Sequence, residues 1–145
     1  MRTPTLLALL AAALPLAACA TTRAVAGRAL REAEWRLVEL GGSAAVAGEG
    51  PAGTAFLRFA ADSGRVTGST GCNRLAGPYT LDGDRLRFGT LVSTRMACVD
   101  PARQRQEGDF MRALEATRRH AVAGDTLALL GDDAGAAPLA RLVAR

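Results

Sequence analysis

Short segments in which apolar and polar side chains alternate, separated by tight turns, dominate the chain after residue 34. Leu86 and Phe88 alternate with Arg85 and Arg87, which is typical of a strand with one buried and one solvent-facing side. Short strands joined by tight turns pair with their neighbours in an antiparallel arrangement. The pattern therefore predicts a compact, curved antiparallel β-sheet or a partly open barrel.

Seven strands follow from this pattern, with turns between them. The predicted strands span residues 35–40, 54–59, 65–69, 79–81, 85–88, 126–130 and 139–143. Gly41 and Gly42 end the first strand, and Asp82, Gly83 and Asp84 form the turn of a hairpin. Together with one helix, these strands predict an α+β fold.

The helix is predicted between the fifth and sixth of these strands. Asp100 can cap its N-terminus, and Pro101 suits its first turn because proline lacks the N–H that would otherwise have no partner there. One apolar face is formed by Phe110, Ala113, Leu114 and Thr117. The far end is assigned to Arg118, Arg119 and His120, where positive charge complements the helix dipole.

The N-terminus has the three parts of a bacterial export leader: a basic start with Arg2, an apolar run over residues 6–16, and small residues before Cys19. The residues Leu-Ala-Ala-Cys that end at Cys19 resemble a lipobox, after which a lipoprotein leader is removed. The apolar run is shorter than the roughly 20 residues that span a bilayer. Residues 1–18 are therefore predicted to be a lipoprotein signal peptide, with an ordinary secretory leader as the alternative.

Cys19 is the predicted lipidation site. A multiply acylated cysteine holds a protein firmly to a membrane, whereas a single chain binds only marginally. Ala20 follows Cys19, where an aspartate would resemble a signal for retention at the inner membrane. We therefore expect lipid anchoring in the bacterial cell envelope, at the outer membrane and facing the periplasm.

The chain after the leader divides into a tether and one domain. Residues 19–33 are small, polar and charged, which predicts a flexible tether, and residues 34–145 are predicted to fold as one domain. Without the leader the chain has 17 arginines, no lysine and 14 acidic residues, a small positive excess. A solvated surface of mixed charge is favoured over attraction to anionic polymers, and a nucleic-acid partner is not expected.

Cys72 and Cys98 remain once Cys19 is assigned to the lipid. An even number of cysteines in an oxidising compartment predicts one disulfide, with two free buried thiols as the alternative. Closing a loop of about 25 residues would stabilise the fold by roughly 3 to 3.5 kcal/mol on the chain-entropy account.

A family resemblance rests on four segments. Trp35 opens the first strand, a Gly-Cys-Asn turn at residues 71–73 precedes Tyr79, residues 94–98 read Thr-Arg-Met-Ala-Cys, and residues 124–129 read Gly-Asp-Thr-Leu-Ala-Leu. In these segments, and in the helix between them, the chain resembles the META domain of HslJ-like heat-shock lipoproteins. The resemblance covers about residues 34–143.

The resemblance implies a mainly antiparallel β domain, often carried by bacterial lipoproteins and linked to stress or envelope maintenance. The family has no agreed catalytic activity. The roles it implies are structural: Cys72 and Cys98 form a pair, and Gly71 and Asn73 shape the turn. Turn chemistry alone accounts for Asn73, because asparagine tolerates left-handed backbone angles and bonds its own main chain. Trp35 is expected to lie in the core or to plug a barrel end.

The residues argue against an enzyme or a cofactor site. Residues 48–53 match a dinucleotide-binding string but lack the strand before it and the helix after it. The chain has one histidine, His120, and its place at a helix end indicates a surface residue rather than a catalytic base. No catalytic residue and no cofactor is predicted.

Metal binding is not predicted either. One histidine and two cysteines about 25 residues apart match no zinc spacing. The pairs Asp82/Asp84 and Asp132/Asp133 lie in glycine-rich turns without the further carboxylates that a calcium site uses. These pairs are expected to be solvated turns.

Three functions remain open. The first is an anchored protein of stress response or envelope maintenance that acts by binding an envelope partner. The second is an inhibitor of an envelope hydrolase, a lysozyme or a protease, with residues 71–78 as the inserting loop. The third is a lipid-binding or pilot-like module whose barrel interior accepts an acyl chain or a peptide.

Overall fold

The computed structural model describes residues 30–48, 53–133 and 135–145. Within these ranges it contains ten strands and one long helix. In chain order they are β1 (Glu34–Leu40), β2 (Ser43–Ala44), β3 (Phe56–Phe59), β4 (Arg65–Ser69), β5 (Arg74–Asp82), β6 (Arg85–Phe88), β7 (Val92–Ser93), α1 (Pro101–Ala116), β8 (Arg119–Ala123), β9 (Thr126–Leu130) and β10 (Ala140–Ala144). The predicted signal peptide, Cys19 and the predicted tether up to residue 29 lie outside the described residues.

Eight of the strands close into an antiparallel barrel. Their order is β10-β9-β8-β6-β5-β4-β3-β1, and β1 pairs back with β10, with Trp35 opposite Ala144 and Leu40 opposite Ala140. Closure removes the free edges that an open sheet would expose. The predicted curved antiparallel sheet with one packed helix is confirmed, and its barrel is closed.

Inward-facing side chains fill the barrel. The core contains Trp35, Leu37, Leu57, Phe59, Val66, Leu75, Tyr79, Leu86, Phe110, Leu114, Leu127, Leu129 and Leu142. Phe59 and Tyr79 meet edge to face with ring centroids 5.1 Å apart. Each fully buried large apolar side chain stabilises the fold by about 1.5–3 kcal/mol. The interior that the sequence suggested for an acyl chain is thus occupied by the protein's own core side chains.

The two ends of the barrel differ. The turns at residues 61–64, 83–84 and 124–125 lie at the end where β1 begins, because each follows a strand that runs toward that end. We call this the N-terminal end. The turn at Gly41 and Gly42 and the segment at 131–139 lie at the other end, where Gly41 N donates to Leu139 O at 3.0 Å. Helix α1 contacts this second end, which we call the helix end.

The packed domain begins before the predicted boundary at Glu34. Leu30 is fully buried, and Trp35 Nε1 donates a 2.8 Å hydrogen bond to Leu30 O. Arg31 Nε donates to Tyr79 Oη at 3.0 Å. Because these contacts pack Leu30 and Arg31 against the barrel, the folded unit includes at least four residues that were assigned to the tether.

The start of α1 follows its sequence signals. Asp100 accepts a 2.8 Å hydrogen bond from Ala102 N, and Pro101 is the first helical residue. The buried face includes Phe110, Ala113 and Leu114. Among the described helices, none combines the length and the apolar character that a bilayer span requires.

The end of α1 differs from the prediction. The helix stops at Ala116, and Thr117 takes an extended conformation with its hydroxyl bonded to Ala113 O at 2.7 Å. Of the three residues predicted at the helix end, Arg118 does contact it, since its Nη1 donates to Glu115 O in the last turn at 2.7 Å. Arg119 and His120 do not cap the helix. Arg119 begins β8, a strand that the sequence analysis missed, and β8 pairs with β9 along its whole length. Its one buried side chain is His120 rather than an apolar residue, so the apolar alternation that marks other strands is weak here.

Candidate functional site

The helix end of the barrel contains a polar cluster built around a disulfide. The structure joins Cys72 to Cys98, with Cα atoms 5.7 Å apart. Gly71, in the turn between β4 and β5, has φ +98°, a conformation that favours glycine. Gly71 N donates a 3.0 Å hydrogen bond to Ser69 Oγ. The turn therefore presents Cys72 toward the segment that precedes α1.

Asn73 connects three parts of the chain. Its side chain is buried, and its Nδ2 donates to Glu107 Oε1 at 2.8 Å. Its Oδ1 accepts from Met96 N at 2.7 Å and from Thr94 Oγ1 at 2.8 Å. Among the described residues, none but glycine has a positive φ, so the left-handed conformation suggested for Asn73 is wrong. Its side chain acts through long-range hydrogen bonds.

Glu107 completes the cluster from α1. It accepts a 3.0 Å hydrogen bond from Thr70 Oγ1 as well as the bonds from Asn73. Its Oε2 lies 3.4 Å from Cys98 Sγ. No local pattern in the sequence marks Glu107, because its partners lie 34 and 37 residues earlier in the chain.

Residues 94–99, which we call the cross-linked segment, present apolar side chains to solvent. Met96 is 62% exposed and Val99 is 99% exposed. The disulfide and the Asn73 hydrogen bonds hold the backbone of this segment against the barrel. Two exposed apolar side chains therefore sit on a backbone with little freedom.

Residues 71–78, suggested as an inserting inhibitory loop, have a different structure. Gly71 and Asn73 are buried, and residues from Arg74 onward belong to β5. Ser69 pairs with Arg74 and Arg65 with Pro78, so β4 covers this stretch from one side. The prediction that it projects as a loop is wrong.

A groove runs along α1 at the helix end. It is open to solvent and has a volume of about 880 Å³, and its mostly apolar lining includes Leu40, Ala44, Ala113, Ala116, Ala137, Pro138 and Leu139. From Ala102 to Ala116 the helix offers roughly 21 Å of wall, at about 1.5 Å per residue. We call this the α1 groove. Its volume lies within the range of about 300–1,000 Å³ typical of ligand pockets.

The polar groups of the α1 groove are largely engaged with each other. Gln106 Oε1 accepts from Val46 N at 2.5 Å, and Gln106 Nε2 donates to Val46 O at 3.5 Å. Arg112 pairs with Asp109 one turn earlier on the helix. Arg105 also lines the groove and adds positive charge to its rim. The groove therefore offers an apolar floor with charge confined to one side.

A second cavity of about 610 Å³ lies on the outer face of β3, β4 and β5, beside the disulfide. Its lining includes Phe56, Arg58, Thr67, Cys72, Arg74 and Met96. The Arg58 guanidinium lies 5.3 Å from the Phe56 ring centroid. Burial acts to raise the pKa of Glu34, but the paired guanidinium groups of Arg36 and Arg58 outweigh it and hold that pKa below its ordinary value.

The family profile of the META domain matches residues 28–144. The chain belongs to the META domain family. An NMR structure of a protein is similar in fold, with a TM-score of 0.63 and 19% identity over 81% of this chain and 93% of the other. An NMR structure of a protein from Burkholderia xenovorans has a TM-score of 0.60 and 27% identity, over 97% of this chain and 95% of the other. No curated protein matches the sequence.

His120 of this META domain lies in β8 and is only 3% exposed, so its prediction as a surface residue at a helix end is wrong. Its ring Nδ1 lies 3.1 Å from Asp84 O, and its backbone N donates to the same oxygen at 2.8 Å. Burial lowers the pKa of His120, and the Asp84 carbonyl and carboxylate oppose that effect only in part. His120 thus helps to join β6 to β8.

The acidic turns of the META domain contact arginines. Asp84 lies 3.8 Å from Arg119, and Asp132 lies 3.7 Å from Arg118. Of the glycine-rich string at 48–53, residues 49–52 lie outside the described residues. Within the described ranges, one group of three cysteine and carboxylate side chains has ligand atoms close enough to share a metal ion: Cys72, Cys98 and Glu107.

Proposed function

We propose that this META domain is a non-catalytic binding module, anchored by a lipid on Cys19 in the bacterial cell envelope and serving stress response or envelope maintenance. The α1 groove carries the proposal, because it is a concave, largely apolar site of ligand size. Gln106 is bound to Val46 and Arg112 to Asp109, which suits recognition better than proton transfer.

The position of the groove supports the anchoring part of the proposal. The chain enters the barrel through Leu30 at the N-terminal end, whereas the groove lies at the helix end. Residues 19–29 could reach at most roughly 40 Å, at about 3.3–3.6 Å per residue. An anchor on Cys19 would therefore join the membrane to the N-terminal end of the barrel and leave the groove, at the opposite end, open to the periplasm.

A photo-crosslinking experiment tests the binding site. A photoreactive phenylalanine derivative replaces Ala116, which lines the groove and is exposed, in the full-length protein expressed in its own membranes. The matched control carries the same group at Glu115, which is exposed on the same helix but does not line the groove. We expect a defined adduct from position 116 and none from position 115. Equal labelling at both positions would refute the groove as the binding site.

A fractionation experiment tests the anchor separately. The Cys19→Ala variant should leave the outer-membrane fraction, while the unsubstituted protein should remain there and release only with detergent. Intact-mass analysis should show an acylated N-terminal cysteine and no residues 1–18. An unmodified chain that begins at Met1 would overturn the anchoring proposal and leave the groove proposal standing.

A second candidate function, inhibition of an envelope hydrolase, is favoured by the cross-linked segment. Met96 and Val99 are exposed on a backbone that the disulfide and Asn73 restrain, and a restrained loop loses little entropy on binding. The purified domain is assayed against lysozyme and envelope proteases at micromolar concentration. This function is supported if the domain inhibits one of these enzymes and if Met96→Asp or Val99→Asp removes the inhibition. The control variant Val38→Asp, on β1, should leave the inhibition intact.

A third candidate, binding of an acyl chain, is favoured by the apolar floor of the α1 groove. An acyl chain needs no hydrogen-bond partners, and the groove offers few free ones. Native mass spectrometry of the soluble domain should then show lipid adducts. Loss of the adducts in Ala113→Trp, which fills the groove floor, would assign them to this site.

A further inference from the structure

Two sulfurs and one carboxylate converge at the helix end in a way that the disulfide alone does not explain. The ligand atoms of Cys72, Cys98 and Glu107 all lie within 4.8 Å of one another. We infer that, when the disulfide is reduced, these three side chains form a binding site for a divalent metal ion of the zinc type.

The distances agree with a shared tetrahedral ion. Zinc binds thiolate sulfur at about 2.3 Å and carboxylate oxygen at about 2.0–2.2 Å, so two such ligands stand roughly 3.5 Å apart. Cys98 Sγ and Glu107 Oε2 are 3.4 Å apart. Once the bond between the sulfurs is broken, the two sulfurs have to separate to roughly 3.7 Å to share the ion.

The surroundings of Glu107 are those of a supported ligand. Thr70 Oγ1 and Asn73 Nδ2 donate to Glu107 Oε1 at 3.0 and 2.8 Å, and Asn73 Nδ2 also lies 3.1 Å from Oε2. These bonds hold the carboxylate with Oε2 3.4 Å from Cys98 Sγ. Asn73 is itself held by Met96 N and Thr94 Oγ1. Hydrogen bonds of this kind orient metal ligands and tune their affinity.

The ligand set favours zinc, and the cavity beside it leaves the fourth coordination position of the metal open to solvent. Two thiolates and one carboxylate form a donor set that suits Zn²⁺. Cys72 also lines the 610 Å³ cavity on the outer face, which leaves room for a water molecule on the metal. The sequence offered no such pattern, since the third ligand comes from a helix rather than from a cysteine motif.

The chemistry balances with a dithiol as reductant. The dithiol transfers two electrons and two protons to the disulfide, leaves as its own disulfide, and yields one thiol on each cysteine. Metal binding then releases both thiol protons, because the thiolate is the ligand. The bound ion would replace the covalent link between the turn at Gly71 and the cross-linked segment. This site is independent of the α1 groove.

Cobalt titration of the mature full-length protein in detergent tests the inference. The protein is reduced with a phosphine, desalted without oxygen and titrated with Co²⁺. We expect thiolate-to-cobalt absorption with one-to-one stoichiometry, displacement of cobalt by Zn²⁺, and a far-ultraviolet circular dichroism spectrum like that of the oxidised protein. The oxidised protein should give no such absorption.

Variants distinguish cobalt binding at a site of three ligands from cobalt binding by two free thiols alone. Glu107→Gln should weaken cobalt binding by at least about tenfold. Cys72→Ser leaves one thiolate, so it should also weaken binding and should lower the thiolate absorption per bound cobalt by about half. Glu115→Gln, an exposed carboxylate on the same helix, should bind like the unsubstituted protein. The inference is overturned if reduced protein unfolds, if it fails to bind cobalt, or if Glu107→Gln binds as tightly as the unsubstituted protein.

Discussion

At the scale of single residues, Asn73 organises the helix end. Its amide makes hydrogen bonds to Glu107, Met96 and Thr94, and these partners lie on α1 and on the cross-linked segment. A buried amide placed this way couples three parts of the chain through one side chain. Its loss would remove these hydrogen bonds from Glu107, Met96 N and Thr94 Oγ1.

The Asn73→Ala variant should therefore be destabilised by about 1–3 kcal/mol, because each hydrogen bond that it removes contributes about 0.5–1.5 kcal/mol and water can reach the exposed Thr94 and Met96. Urea unfolding of the oxidised protein measures this change. Thr80→Ala, an exposed position on the same strand, is the control and should change stability by less than about 0.5 kcal/mol. Equal midpoints for the two variants would contradict the role of Asn73.

His120 gives the domain a pH dependence whose sign is fixed by burial. Because burial lowers its pKa in the folded state, the unfolded chain binds the proton more readily. The stabilisation from a neutral His120 is complete above the unfolded pKa of about 6.5 and is lost as pH falls below it, toward the folded pKa.

We expect the melting temperature to fall as the pH is lowered from 7.5 to 5. The fall should be smaller in His120→Gln, because glutamine does not bind a proton in this range. The readout is the difference between the two proteins across this range, since that difference removes the contribution of the carboxylates. Parallel curves for the two proteins would show that His120 has no part in the pH dependence.

At the scale of elements, the cap of α1 can be tested alone. Asp100 accepts a hydrogen bond from Ala102 N in the first turn. Asp100→Ala should lower the free energy of unfolding by about 1 kcal/mol, whereas Asp100→Asn retains the acceptor and should cost much less. Urea midpoints of the two variants decide this, and equal losses would mean that charge rather than the cap is responsible.

Elements with a clear local pattern could be predicted from the sequence, and those shaped by distant contacts could not. The ranges of β4, β6 and β9 match their predictions, since alternation and turn residues bound them. β5 begins five residues earlier than predicted, because pairing with β4 carries it through Gly77 and Pro78. The pair of cysteines is visible in the sequence, but the place of Glu107 beside them depends on the docking of α1.

At the scale of the whole molecule, closure of the barrel and the disulfide act on different parts of the fold. Closure pairs β1, the first strand in the chain, with β10, the last strand. Most of the core lies inside the closed barrel. The disulfide instead ties the turn at Gly71 to the cross-linked segment, at the helix end. Removal of the disulfide should therefore weaken the protein without opening the barrel.

The double variant Cys72→Ala/Cys98→Ala tests this separation. The cysteines are 26 residues apart in sequence, and a loop of that size predicts a loss of roughly 3 kcal/mol. Such a loss is a large part of the 5–15 kcal/mol typical of a folded domain. Urea unfolding measures this loss of stability.

Hydrogen exchange shows which part of the fold the disulfide stabilises. Protection of the backbone amides from exchange should fall in residues 94–99 and remain in β1 and β10, because the barrel hydrogen bonds do not depend on the disulfide. Lost protection in β1 and β10 would mean instead that the disulfide holds the barrel closed.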